Sequence, residues 1–127
     1  GSAKAIKDIC LSLPITKIIA VSVSGFAARV ISSQLLCQPI IAISNNKETA
    51  RISNLFSGTC GVYFDTKFYK NSLDHIPQCL AYLWEKNYIQ SKDMLLVTAL
   101  AYPGSGRRMN LIQTLYVKDL IKTFSWT

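Results

Sequence analysis

Apolar residues recur near the start of the chain at Ala5, Ile6, Ile9, Cys10 and Leu13, the spacing of one helical face. A helix is therefore predicted over 3–13, with Pro14 ending it. The period then changes. Lys17 to Val23 (KIIAVSV) and Pro39 to Ile43 (PIIAI) are short apolar runs rich in β-branched residues, which predicts strands covered on both faces. Between them, Gly25 to about Gln34 sets Phe26, Ala27, Val30 and Ile31 on one side of a helix. Asn46 stands as an N-cap before a helix from Lys47 to Leu55.

The second half repeats the alternation. Gly58 to Phe64 is a weak third strand. Leu73 to Lys86 is helical, with Leu73, Ile76, Leu80, Leu83 and Trp84 inward. Pro77 interrupts this pattern unless the regular helix starts near it, and Asn87 suits a left-handed cap. Met94 to Ala101 is a fourth buried strand. Leu111 to Val117 alternates apolar and polar, as a half-exposed edge strand does. Leu120 to Phe124 is a short terminal helix or an ordered tail. Strands alternating with helices of about ten residues indicate an α/β fold around a mainly parallel sheet, with helices on both faces. Residues 3–127 form one domain, 118–127 being its tail. Gly1-Ser2 reads as a scar of tag removal and is set aside.

The turns carry the candidate chemistry. In open α/β sheets, ligands bind at the carboxyl ends of the strands, where strand order reverses. The stretch Ser22-Val23-Ser24-Gly25 joins the first strand to a helix whose unpaired N–H groups would face that place. Ser22 and Ser24 add hydroxyls, and Gly25 permits close backbone approach. Such a turn fits a phosphate; Ser24 acting only as a helix cap is the plainer alternative. A second glycine turn, Pro103-Gly104-Ser105-Gly106, ends the fourth strand and carries Arg107 and Arg108. If strands one and four are neighbours, both turns open on one crevice.

Charge and composition narrow the partners. Half of the 127 residues are apolar and 17% charged, a globular composition. No apolar run approaches the roughly 20 residues needed to cross a bilayer, and no signal peptide is visible. The net charge of +7 is compatible with nucleic acid, anionic metabolites or an acidic surface. The basic residues are scattered, however, and no basic stripe or aromatic-basic platform forms, so nucleic acid is the minority reading. Cys10, Cys37, Cys60 and Cys79 show no CxxC spacing, and with one histidine a zinc site is not expected. All four are read as small buried hydrophobes of a reducing compartment. His75, near a helix start, reads as a cap or surface residue rather than a general base. No nucleophile elbow, carboxylate pair or complete P-loop is present.

With the turns placed, the chain resembles the C-terminal domain of pyruvate kinase, from about Ala3 to Val117. The family's Thr-x-Ser-Gly-Arg-(Ser/Thr)-Ala pattern is similar to SVSGFAARVIS, Ser22 to Ser32. Its Pro-Ile-(Ile/Leu)-Ala-(Val)-Thr-x-Asn-x-x-Thr-Ala-Arg is similar to PIIAISNNKETAR, Pro39 to Arg51. LFSG resembles its Leu-x-x-Gly, Lys92-Asp93 stands at its Gly-Asp, and PGSGRRMN resembles its Gly-x-x-Gly-Thr-Thr-Asn loop.

The resemblance implies a three-layer α/β/α fold whose five-stranded, mostly parallel sheet has its last strand antiparallel at an edge. It implies a cytoplasmic regulatory and oligomerising domain, packing against its counterpart in a homo-oligomer. The catalytic barrel, with its magnesium and usually potassium, would lie outside this chain, which itself needs no cofactor and catalyses nothing alone. The implied effector is a sugar phosphate or nucleotide. Its pocket would comprise Ser22, Ser24, Gly25, Phe26 and Ala27, with Gly104, Ser105 and Gly106 closing over. Phe26 replaces a usual Arg or Lys and Ala27 a usual Ser or Thr. A phosphate donor worth about 1.5–3 kcal/mol is thus missing, with Arg107 or Arg108 as substitutes. His75 falls near a second-phosphate arginine of some members. Leu35-Leu36 replaces the family's Arg-Pro. A free-standing phosphometabolite module of the same fold is the alternative reading, and a binder of nucleic acid or an acidic partner a further one.

Overall fold

The computed structural model describes residues 2–68, 73–99 and 111–127. Its elements in chain order are α1 (Ser2–Ser12), β1 (Lys17–Val21), α2 (Phe26–Ser32), β2 (Ile40–Ser44), α3 (Lys47–Ser53) and β3 (Thr59–Tyr63). There follow α4 (His75–Glu85), β4 (Met94–Ala99), β5 (Leu111–Tyr116) and α5 (Val117–Phe124). The predicted order holds, with boundaries shifted by at most three residues; the predicted end of the fourth strand, 100–101, lies outside the described residues. The segment left open as a helix or a tail is α5, and its Val117 and Leu120 are buried.

The sheet order is β3-β2-β1-β4-β5. The first four strands are parallel and β5 runs antiparallel to β4 at the edge. Period-two alternation along the strands builds two cores. Ile19, Val21, Ile41, Ile43, Leu95 and Val97 face α4 and α5, meeting Cys79, Leu80, Leu83 and Leu120. Ile18, Ala20, Ile40, Ala42 and Leu96 face the opposite way, onto Ile6 and Cys10 of α1 and Ala27, Ala28 and Ile31 of α2. Each fully buried aliphatic side chain contributes about 1.5–3 kcal/mol, which is why the central strands carry apolar residues on both faces. Steps from β1 to β2 to β3 move outward, and the next connection returns across β1 to β4. Strand order therefore reverses between β1 and β4.

Glycine has a fixed purpose on the outer strand. A Cβ at Gly61 would stand 1.7 Å from the Ala50 carbonyl oxygen of α3, so helix and strand meet backbone to backbone. The Gly61 amide donates to Asn54 Oδ1 at 2.8 Å, which closes part of an otherwise open edge.

Two local signals read from the sequence are realised. The Asn46 side chain accepts from the Thr49 amide at 3.0 Å. Asn87 is left-handed at φ 64° and ends α4 in a Schellman turn, with Tyr88 N–H donating to the Leu83 carbonyl and Asn87 N–H to that of Trp84. Pro77 is the third residue of α4, in the first turn, where its missing N–H leaves no helical bond unmade.

The cysteine expectation is corrected in part. Cys10 and Cys79 are buried, but Cys37 and Cys60 are exposed, one in the loop before β2 and the other on the outermost strand. Burial pushes the Cys79 thiol up to about 12 and also raises that of Cys10, so both stay neutral.

At the amino ends of β1 and β4 sits a polar clamp. Lys17 Nζ donates to Asp93 Oδ2 at 2.8 Å and to the Tyr88 carbonyl at 3.1 Å, and also reaches Gln90 Oε1. Asp93 further accepts from Thr16 Oγ1 and the Gln90 amide, each at 2.8 Å. Burial opposes ionisation of Asp93. The bonds from Lys17, Gln90 and Thr16, with the attraction of the Lys17 charge, outweigh it and hold the carboxyl below its ordinary range.

Candidate functional site

The turn after β1 lies at the carboxyl end of the central strand, beside β4, where the strand order reverses. Its conformation is made by its own side chains. Ser22 is buried, and its Oγ accepts from the Gly25 amide at 2.7 Å. Ser24 is exposed, and its Oγ accepts from the Phe26 amide at 3.3 Å and lies 3.5 Å from Ser22 Oγ. Gly25 is the N-cap of α2 at φ 80°, a left-handed position that favours glycine. A Cβ there would also crowd Thr49 Cγ2 at 3.2 Å.

This arrangement modifies both readings of the serines. Ser24 is not the residue at the cap position; Gly25 is. The amides of Gly25 and Phe26 are already bonded to serine oxygens, so what the turn offers an outside acceptor is chiefly the proton of the exposed Ser24 hydroxyl, with Ser22 buried behind it.

Neighbouring strand ends brace it. Thr49 Oγ1 of α3 donates to the Val23 carbonyl at 2.8 Å. Ser44 Oγ accepts from the Asn46 amide at 3.1 Å, and Asn45 donates to the Thr66 carbonyl at 3.1 Å. The ends of β1, β2 and β3 are thus tied together by side-chain bonds.

The two family departures have structural uses. Phe26 is half-buried and packs on the second core, and Ala27 is fully buried in it. Neither side chain carries a hydrogen-bond donor for a phosphate. The arginine on α2 is engaged elsewhere, since Arg29 lies over the Phe56 ring at 5.8 Å. Lys47, at the start of α3, lies over Tyr63 at 5.4 Å. Gly104, Ser105, Gly106, Arg107 and Arg108 lie outside the described residues.

His75 departs from expectation. It is buried rather than at the surface and stacks on Phe68, with ring centroids 4.6 Å apart and planes 17° apart. Sequence reasoning missed Thr98. Its Oγ1 is buried and has no hydrogen-bond partner among the described residues. It pairs with Ala20 on the sheet face that α2 covers, two residues below Ser22. A threonine inside an otherwise apolar strand, MLLVTALA, was the available signal. Among the described residues no group of His, Cys, Asp and Glu could hold a metal ion, and no helix is long and apolar enough to cross a membrane.

Residues 2–115 match the family profile described as pyruvate kinase, alpha/beta domain. A pyruvate kinase of Buchnera aphidicola subsp. Schizaphis graminum is 30% identical over 103 residues, covering 81% of this chain and 21% of that protein. Its counterpart from Buchnera aphidicola subsp. Acyrthosiphon pisum is 29% identical over the same length, with the same shares. A solved structure of Cryptosporidium parvum pyruvate kinase in complex with ADP superposes with TM-score 0.69 at 23% identity, covering 89% of this chain and 22% of that one. The chain spans about a fifth of the length of the relatives it matches.

Proposed function

This chain belongs to the pyruvate kinase alpha/beta-domain family, and from that premise we propose that it is the regulatory and assembly domain of a cytoplasmic pyruvate kinase. The parent enzyme would move a phosphoryl group from phosphoenolpyruvate to ADP, using a barrel and metal ions outside these residues. The domain's part is to join copies into a homo-oligomer and to offer a weakened seat for a phosphorylated effector. The observation carrying the effector reading is the Ser22–Gly25 turn, held at the strand-order reversal with the Ser24 hydroxyl exposed and the buried Ser22 hydroxyl 3.5 Å behind it.

The seat is weakened because Phe26 and Ala27 serve the core instead of the ligand. One lost charge-assisted bond is worth about 1.5–3 kcal/mol, or roughly a 10- to 150-fold loss in affinity. The remaining charge would come from Arg107 or Arg108.

Calorimetry with fructose 1,6-bisphosphate, glucose 6-phosphate, ribose 5-phosphate and AMP tests this. Binding weaker than about 0.1 mM that disappears in Ser24→Ala fits a weakened seat. Tight binding of any of the four removes the weakening, and no binding at all removes the seat. Sedimentation tests assembly: a monomer at every concentration would overturn it.

A further inference from the structure

Both tryptophans of the chain line one cavity of about 470 Å³, well away from the serine turn. Trp84 lies in the last turn of α4 and Trp126 just beyond α5. Their rings stack with centroids 5.7 Å apart and planes 21° apart, and Phe124 stacks on Trp126 at 6.0 Å. Glu85, Asn87, Ser125 and Thr127 supply the polar part of the lining.

Several features of this cavity favour positive charge. Glu85 is exposed and belongs to no ion pair among the described residues. Two helices end here, α4 at Glu85 and α5 at Phe124, so the negative ends of both dipoles converge on it. Trp126 N–H satisfies the Ile121 carbonyl, while later carbonyls of α5 have no helical donor. Lys86, the base just beyond α4, has its ammonium over the Tyr82 ring at 5.8 Å. Indole faces attract cations through their quadrupole, and most strongly where water is displaced.

We propose that this cavity binds a small organic cation of the alkylammonium class, with Trp84 and Trp126 as its aromatic walls and Glu85 as its counter-charge. The site is independent of the effector reading. Trp126 and α5 lie beyond residues 2–115, the part matched by the family profile, so the cavity depends on a segment that profile does not describe.

Because the chain's two tryptophans both line the cavity, intrinsic fluorescence of the whole chain reports on it directly. The probe is choline chloride, compared with sodium chloride at equal ionic strength and with choline's neutral tert-butyl isostere. The expected result is a saturable change with its midpoint on the order of 1–10 mM. Sodium chloride should give none, and the isostere should bind at least about tenfold more weakly. Glu85→Gln, an exposed substitution, should weaken choline about five- to tenfold. Trp126→Ala should abolish the response, whereas Trp126→Phe keeps a ring face and should retain binding reported by Trp84. The absence of saturation, an equal response to the isostere, or unchanged affinity in Glu85→Gln would each overturn the proposal.

Discussion

Replacing Asp93 by Asn tests the clamp beneath the sheet. In the native protein Asp93 is 3% exposed and Lys17 19%, and the carboxylate accepts three bonds, each at 2.8 Å. Asparagine keeps the shape but offers one acceptor oxygen; with that oxygen toward the Lys17 ammonium and the Gln90 amide, its NH2 group faces Thr16 Oγ1, whose proton must turn to the Met94 carbonyl. Lys17 then remains largely buried without a counter-charge, left with neutral oxygens alone: those of Tyr88, Gln90 and the new amide. Removing one partner of a buried pair costs about 3–5 kcal/mol. Lys17's partial exposure lets it relax toward water, so the lower end, about 3 kcal/mol, applies. With a urea m-value of about 1.5 kcal/mol per molar, the unfolding midpoint should fall by about 2 M.

The pH dependence has a definite sign. The folded-state carboxyl is held below its unfolded value, so its stabilisation is complete above the unfolded value near about 4 and is lost as pH falls through the folded value. The variant should lack this acid limb. Urea melts of both proteins between neutral and strongly acidic pH measure both effects. A loss under about 1 kcal/mol, the scale of an exposed pair, together with unchanged acid sensitivity, would refute the reasoning.

Three further substitutions probe the same structure. Gly61→Ala drives a methyl into the Ala50 carbonyl and should cost about 3 kcal/mol or more, at the upper end of overpacking; a near-native thermal midpoint would refute the close α3–β3 approach. Ser22→Ala leaves the Gly25 amide without its acceptor and should cost about 1–3 kcal/mol, read by chemical denaturation. Thr98→Val swaps an unpaired buried hydroxyl for a methyl of the same shape, and should be neutral or stabilising by about 1 kcal/mol; a clear loss would mean the hydroxyl has a partner.

Much of the fold was legible because its signals are local. The apolar run PIIAI, the cap at Asn46 and the left-handed Asn87 each depend on a few consecutive residues. The serine turn was found for the same reason. What was hidden depends on distant partners. Lys17 reads as one scattered base until β4 brings Asp93 beside it, and Gly61 reads as a weakness in a strand until α3 crosses it. Phe26 stands where a ligand-facing cation was expected, but the direction of its side chain is decided by the second core. Burial of His75 likewise follows from Phe68 lying against it, and exposure of Cys60 from the outer position of β3.

The sheet's central joint also bears on the order of folding. Strands β1 and β4 meet across a sequence separation of 78 residues, measured at Thr16 and Met94, whereas β1–β2, β2–β3 and β4–β5 join segments much nearer in the chain. Closing the longest loop is entropically disfavoured until other contacts reward it, so two preformed halves should dock late, at this seam. Weakening the Lys17–Asp93 clamp should then speed unfolding while leaving the folding rate nearly unchanged.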